Sequence, residues 1–532
     1  MQATGFAFNL WVLGTLVTAM ILLALLHQAP SQVKRLITVS ATFLAGLFYA
    51  LEFFIPPDPV SQDAFLFGEN LTQMAGLVGQ ATQVVAGFTF LLGVYNLTYV
   101  HGGNIRRRRA GWPNSLAFFI AFLLMAVFAF WRDWYIWADP RPGGGPPSNW
   151  GSVFGGSAWE WDEPSGQYFL HTFYPEQPDL NWRNPAVAEA MAGVMRFWFE
   201  RGVDGFRVDA IFAAIKDALL RDNPPDRRPL VIPGIGAQPG QDPLWSMNRP
   251  EVHDVVRHLR RVADAFPGRV LVGEAYVPVE ELIGYLGGDR DDEFQLAFNF
   301  ELLRSPWEHR HLTLAIERSE ALHPPSAVPT YAISNHDNPR HALRWGPERA
   351  RSAAFLLLSL RGVAVLYAGE EIGMVDAPHE ILPDPPFDRA GRDGCRTPMQ
   401  WDATASGGFT TGRPWLPLVD PATRNVADQA GDPRSLLSLY RDLIALRRTS
   451  AAMRAGGHRS FFGVAPEVLC WERETDEERV LVLVNTSGEA RRCTLPHVEP
   501  AGEVLVATSE RRGRVLLGEL TLDPFEGIAL RL

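Results

Sequence analysis

Apolar residues run almost unbroken through four stretches near the start of the chain: Phe6–Leu26, Leu36–Ile55, Ala75–Tyr95 and Leu116–Trp131. Roughly 20 apolar residues at helical rise cross a bilayer, so this pattern predicts four membrane crossings, the fourth the shortest. From Arg132 the pattern changes. Short apolar runs alternate with stretches of helical period, beginning at Asn184-Pro185, where an amide N-cap and a proline at the first helical position predict a helix. Its apolar positions are Met191, Val194, Met195 and Trp198, and Gly202 closes it. Then come "VDGFRVDA", a helix over Val252–Phe266, "RVLVGEAY", "FQLAFNF", "PTYAISNHD", a helix over Arg349–Leu360 and "VAVLYAGEE". Short buried strands alternating with helices predict a parallel α/β sheet or barrel. From about Gly456 the period shortens to alternation, as in "RVLVLVNTS", which predicts an antiparallel β domain.

Charge sharpens the division. Residues 1–131 hold only six of the 49 basic and four of the 60 acidic residues. Lys34 and Arg35 lie between the first and second runs, and Arg106 to Arg109 between the third and fourth. Glu52, Asp58, Asp63 and Glu69 lie in or beside the second connection. The positive-inside rule then places both basic loops in the cytoplasm and the N-terminus outside. Four crossings put everything after Trp131 outside too, so the expected location is the cell membrane, multi-pass, with membrane lipid as the partner of residues 1–131. If this segment is not native to the rest, the remainder is cytoplasmic. No Lys or Arg precedes the first run, which argues against a cleaved signal peptide. The net charge of −11 gives no support for nucleic-acid binding. Cys395, Cys470 and Cys493 form neither a disulfide framework nor a metal-ligand spacing. Cys470 and Cys493 could bridge in an oxidising space or remain two free thiols. No metal and no cofactor is expected, and the oligomeric state is open.

Three carboxylates follow three predicted strands: Asp209, Glu274 and Asp337. In a β/α barrel, the C-terminal ends of the strands build the active site. A lone acidic residue there is usually a cap or a loop residue. Three in one register, with Arg207 two before the first and His336 beside the third, form a constellation suited to acid/base chemistry. Cleaving a glycosidic bond needs two such groups, one to attack or activate water and one to protonate the departing oxygen.

These residues carry a specific resemblance. "GFRVDAI" (205–211), "GEAY" (273–276) and "SNHDNPR" (334–340) resemble three signature motifs of the α-amylase superfamily, glycoside hydrolase family 13. "QPDLNWRNP" (177–185), "NWGSVFGGSAWEWDEPSGQYFLHTF" (149–173), "YAGEEIGM" (367–374) and "RTPMQWDATASGGFT" (396–410) are similar to its oligo-1,6-glucosidase/α-glucosidase branch. The resemblance spans about Arg132 to Leu532. It implies a retaining α-glucosidase for short α-glucosides, with Asp209 as nucleophile and Glu274 as acid and then base. Asp337 would grip the sugar hydroxyls, Arg207 would orient the nucleophile, and His336 and Arg340 would contact the sugar. The two reacting carboxyls would stand about 5–5.5 Å apart. Ala210, after the nucleophile, resembles α-1,4-acting members, whereas Val is usual in α-1,6-preferring ones.

The resemblance also implies three barrel strands and a first signature motif upstream of "RDWYIWADP". "FLLMAVFAFW" stands there instead. The expected fold is therefore a partial TIM barrel of strands four to eight, with two open edges. The expected domains are a membrane segment (1–131), a remnant of the domain inserted after strand three (132–183), the barrel part (184–455) and the all-β domain (456–532). Three readings of the whole chain compete. It is a membrane-anchored α-glucosidase, a non-catalytic ectodomain similar to amino-acid transporter heavy chains, or a chimera joined at Trp131–Arg132. A transglycosylating isomerase similar to trehalose synthase is the enzymatic alternative. On topology, a cysteine introduced into a loop after Trp131 is expected to react with a membrane-impermeant reagent in intact cells. Protection there contradicts the orientation.

Overall fold

A computed structural model of the chain describes residues 132–532 apart from 226–230, 233–235, 238–239, 325–326, 385 and 496–498. The chain divides into Met1–Trp131 and Arg132–Leu532. The four apolar runs and their basic loops lie outside the described residues. Among the described residues no helix is long and apolar enough to cross a membrane.

The described part opens with a three-stranded antiparallel sheet, β1 (Trp137–Ala138), β2 (Trp159–Asp162) and β3 (Gln167–Leu170), with β3 in the middle. Trp150 and Trp159 stack beneath it, ring centroids 5.9 Å apart, and both are buried. Asp179, from the "QPDLNW" stretch, ties this unit down. It accepts from the Thr172 amide at 2.8 Å and pairs with buried Lys216 at 2.9 Å. Lys216 follows the first parallel strand, so the ion pair joins the small sheet to the large one.

Helix α1 (Pro185–Phe199) starts where Asn184 accepts from the Ala186 amide, with proline at its first position. Five strands follow: β4 (Gly205–Val208), β5 (Val270–Gly273), β6 (Leu296–Asn299), β7 (Thr330–Ala332) and β8 (Val363–Val365). They pair in sequence order, every neighbour parallel. Helices α2 (Val252–Asp264), α3 (His309–Leu322) and α4 (Ala350–Ser359) return the chain between strands. Helix α2 stops two residues before the expected Phe266, because Pro267 disfavours helical backbone at the residue before it. Among the described residues, β4 and β8 are the outer strands of this sheet.

Two glycines set how closely the strands start. A Cβ at Gly205 would lie 2.2 Å from the Val270 carbonyl oxygen, and one at Gly362, before β8, 2.2 Å from that of Pro329. Met195 and Phe199 of α1 and Val256 and Leu259 of α2 pack on Leu271 and Ala297 in one core. A second core joins the sheet to the terminal domain. There Tyr331, Phe355 and Leu356 meet Tyr440 of α5 (Leu436–Thr449) and Trp471, Val480, Val482 and Ala529. Those last residues belong to a six-stranded antiparallel sheet. Its strands are β9 (Gly457–Ser460), β10 (Val468–Glu474), β11 (Arg479–Asn485), β12 (Ala501–Ala507), β13 (Arg514–Leu516) and β14 (Gly527–Arg531), ordered β9-β10-β11-β14-β12-β13. Cys395, Cys470 and Cys493 are free and buried.

Gly205→Ala is expected to lower stability by about 1–3 kcal/mol through overpacking. Gly193→Ala, inside α1 with open space around it, is expected to raise stability by about 0.5–1 kcal/mol. Thermal unfolding of the two variants checks this, and the reverse order contradicts the packing of β4 on β5.

Candidate active site

The parallel register brings the first two carboxylates together. Val208 faces Gly273 across β4 and β5, so Asp209 and Glu274 leave their strands at one level. The chains then interlace: the Glu274 amide donates to the Val208 carbonyl at 2.9 Å, and the Ile211 amide to the Glu274 carbonyl at 3.2 Å. Between them Ala210 takes a left-handed conformation, φ 43° and ψ 36°. A non-glycine residue there is uncommon, and such strain gathers at functional sites. The turn aims the Ala210 amide at Glu274 Oε2, 3.2 Å away. Gly273 is required because a Cβ there would meet the Phe294 ring at 2.2 Å.

Arg207 spans the pair. Its Nη1 lies 2.8 Å from Asp209 Oδ1 and its Nη2 2.7 Å from Glu274 Oε1. The carboxyl groups differ in setting: the Asp209 side chain is 73% exposed and that of Glu274 only 5%. Burial pushes the Glu274 carboxyl up to about 7; a hydrogen bond and the charge of Asp209 add to this, and Arg207 opposes it. For Arg207, burial works against the charged form, but Glu274 and Asp209 outweigh it and raise its pKa.

Asp337 sits in the loop after β7. Asn335 shapes this loop by accepting from the Asp337 amide at 3.0 Å and donating to the Tyr276 hydroxyl at 3.1 Å. His336 Nε2 lies 3.4 Å from Asp337 Oδ2. Burial lowers the His336 pKa, against the pull of Asp337. Two arginines hold the other oxygen: Arg392 Nη1 at 2.6 Å and Arg396 Nη2 at 3.2 Å from Asp337 Oδ1. Arg392 is itself gripped by Asp388, Nε to Oδ2 at 2.7 Å. Burial alone would raise the Asp388 pKa, but the hydrogen bonds and charge of Arg392 hold it down at about 2. The Tyr174 hydroxyl also donates to Asp388 Oδ1, at 3.3 Å.

Arg340, expected to contact the sugar, packs against the loop after β8. It is buried, its Nη1 donates to the Ala368 carbonyl at 2.8 Å, and its guanidinium lies over the Tyr367 ring at 4.5 Å. It anchors the loop after β8, while Arg392 and Arg396 reach Asp337. The sequence held a partial signal for these two, since Arg396 opens the "RTPMQWD" stretch. Arg392 stands four residues earlier in a loop with no periodicity to mark it.

An exposed carboxylate beside a buried carboxyl of raised pKa is the pairing that divides nucleophilic from acid/base work. Infrared titration of the chain against Glu274→Gln is expected to resolve one carboxyl near pH 7, moving upward in Arg207→Leu. A downward move contradicts the assigned balance of charges.

The family model "Alpha amylase, catalytic domain" matches residues 128–456. A probable α-glucosidase of Rhizobium meliloti is 40% identical over 385 residues, covering 68% of this chain and 69% of that protein. An oligo-1,6-glucosidase of Heyndrickxia coagulans is 34% identical, covering 67% and 71%. The crystal structure of a trehalulose synthase from Pseudomonas mesoacidophila superposes with a TM-score of 0.68 at 29% identity, covering 75% of this chain and 78% of that one. With its three carboxylates on an α/β amylase-type fold and its antiparallel terminal domain, the chain belongs to the α-amylase family of glycoside hydrolases.

Proposed function

We propose that the chain is a retaining α-glucosidase of short α-glucosides, in which Asp209 attacks the anomeric carbon and Glu274 protonates the departing oxygen. Glu274 then takes a proton from water as that water releases glucose from Asp209. The observation that carries this reading is the Arg207 fork, which joins an exposed carboxylate to a buried carboxyl whose pKa burial pushes up to about 7. The first can act as the nucleophile while the second still holds its proton near neutrality. Asp337, fixed by Arg392 and Arg396, is the group that grips sugar hydroxyls, with His336 beside it. Ala210 supports the lean toward α-1,4, maltose-like substrates. Held together in one site, the three carboxylates favour this reading over a non-catalytic ectodomain.

Two further parts of the reading concern the frame. The five parallel strands stand for the fourth to eighth of a barrel, and the exposure of Asp209 accords with a site open on one side. The charge pattern of residues 1–131 supports a membrane anchor that holds the site outside the cytoplasm.

The likeness to a trehalulose synthase keeps an isomerase as the second reading. Hydrolysis and isomerisation share the glucosyl-enzyme and differ in whether water or the departing sugar takes the glucosyl group.

The purified chain is expected to release α-glucose from maltose and from an aryl α-glucoside. Asp209→Asn is expected to cut that rate by roughly a thousandfold or more; retained turnover overturns the assignment. A product that is mainly isomerised disaccharide favours the isomerase. Activity is expected to fall as pH rises through about 7, where Glu274 loses its proton. Because its folded pKa is raised, its contribution to stability is fully present below the unfolded carboxyl range and is lost as pH rises through about 7. An alkaline limb that stays put in Arg207→Lys while its height changes would assign the limb to another group.

A further inference from the structure

Arg392 and Arg396 hold the Asp337 carboxylate, and a second set of contacts holds the base of its loop. The loop opens at buried Ser334, just after β7, and closes at Arg340, where the short helical turn His341–Arg344 begins. The Ser334 hydroxyl accepts from the His341 amide at 2.9 Å and lies 3.1 Å from Nδ1 of the same histidine. Arg344 braces both ends of the loop by donating to the Ile333 and Pro339 carbonyls. Asn335, next to Ser334, accepts from the Asp337 amide at 3.0 Å. The place of Ser334 is therefore passed through Asn335 to the carboxylate.

Beside His341 stands Glu370, from the loop after β8. Its side chain is fully buried, and neither oxygen has a hydrogen-bond partner among the described residues. Buried polar groups are almost always paired, so this carboxyl needs a reason. Its ion-pair partner is His341, with Nδ1 3.7 Å from Oε2. The other charged and titratable groups around the pair are Arg340, Arg344, Glu371, Asp376 and the buried Tyr440 hydroxyl of α5. Arg340 and Arg344 give donors to backbone carbonyls, at Ala368 and at the ends of the Asp337 loop.

The buried His341 ring can hold its proton in two ways. With the proton on Nδ1, the ring donates to Ser334 and turns the positive end of an N–H toward Glu370. With the proton on Nε2, Ser334 must donate to Nδ1, and a ring lone pair then faces the carboxyl. The Nε2 N–H would also be buried without an acceptor, since Nε2 has no partner among the described residues. The first arrangement leaves only an acceptor unpaired, the milder loss.

We propose that Glu370 is a positioning residue for Asp337: it keeps the His341 proton on Nδ1, the ring fixes Ser334, and the loop so held presents Asp337 to the sugar. This rests on the α-glucosidase reading above, in which Asp337 grips the sugar hydroxyls. Glu370 touches no substrate and acts only through the histidine and the serine.

The test uses the full chain with Glu370→Met, which keeps the volume and removes the acceptor, and Glu370→Gln, which restores an oxygen. The first readout needs no turnover: nitrogen NMR of histidine-labelled protein, with the His341 signals assigned by their loss in His341→Asn. The proton is expected on Nδ1 in the unsubstituted chain and in Glu370→Gln, and on Nε2 in Glu370→Met. A proton on Nε2 in the unsubstituted chain, or one that stays on Nδ1 in Glu370→Met, overturns the proposal. The second readout is kcat/KM for an aryl α-glucoside in a cycle with Asp337→Asn. Glu370→Met is expected to cost about tenfold when Asp337 is present and less than about twofold when it is already Asn, with Glu370→Gln recovering most of the loss. Equal losses in both backgrounds mean that Glu370 acts on the fold at large, and overturn the positioning role. If the unsubstituted chain does not cleave the glucoside, the α-glucosidase reading fails and the ring proton alone decides the role of Glu370. Where Glu370→Met does not fold, the ring proton of the unsubstituted chain decides in the same way.

Discussion

One guanidinium sets the chemistry of this molecule. Arg207 reaches Asp209 and Glu274 with separate nitrogens, at 2.8 and 2.7 Å. Its planar fork can satisfy two carboxyls at once, which a lysine ammonium, a single point charge, cannot do with the same geometry. Burial then splits the pair, because desolvation penalises charge on Glu274 while Asp209 faces solvent. Under the proposed mechanism, one acid and one nucleophile thus arise from two similar side chains. The backbone is built to allow it: Gly273 clears the Phe294 ring, and the left-handed turn at Ala210 sends an amide to Glu274.

The rest of the described fold holds this arrangement in place. Helices α1 and α2 press β4 and β5 into register, and the core shared with the terminal sheet fixes the strands that follow. Two partly buried ion pairs extend the site outward. Asp179 with Lys216 pins the small antiparallel sheet near the first carboxylate, and Asp388 with Arg392 sets the third. Breaking either pair would strand a partly buried charge, so each makes a loop behave as part of the scaffold.

Much of the site was legible in the sequence, for a physical reason. Asp209 and Glu274 directly follow short apolar strands, and a parallel register fixes what leaves those strand ends. "FRVD" and "VGEAY" therefore already encode a juxtaposition. The cap at Asn184-Pro185 was equally direct, since it depends on two adjacent residues. Arg340, Arg392 and Arg396 were not decidable in that way. All three lie in loops, where contacts depend on the folded path and no period marks which way a side chain goes. Motif position suggested Arg340 for the sugar, yet the Ala368 carbonyl and Tyr367 ring take it up. Arg392 reaches Asp337 across 55 residues of chain, a contact only tertiary structure can set.

The central claim is that Asp209 becomes covalently glucosylated. The most direct measurement is mass spectrometry of the full chain after exposure to a fluorinated α-glucosyl fluoride, which forms such an intermediate quickly and releases it slowly. The account predicts one added sugar, on the peptide that contains Asp209. An adduct on another residue would contradict it, and so would turnover of the reagent with no adduct.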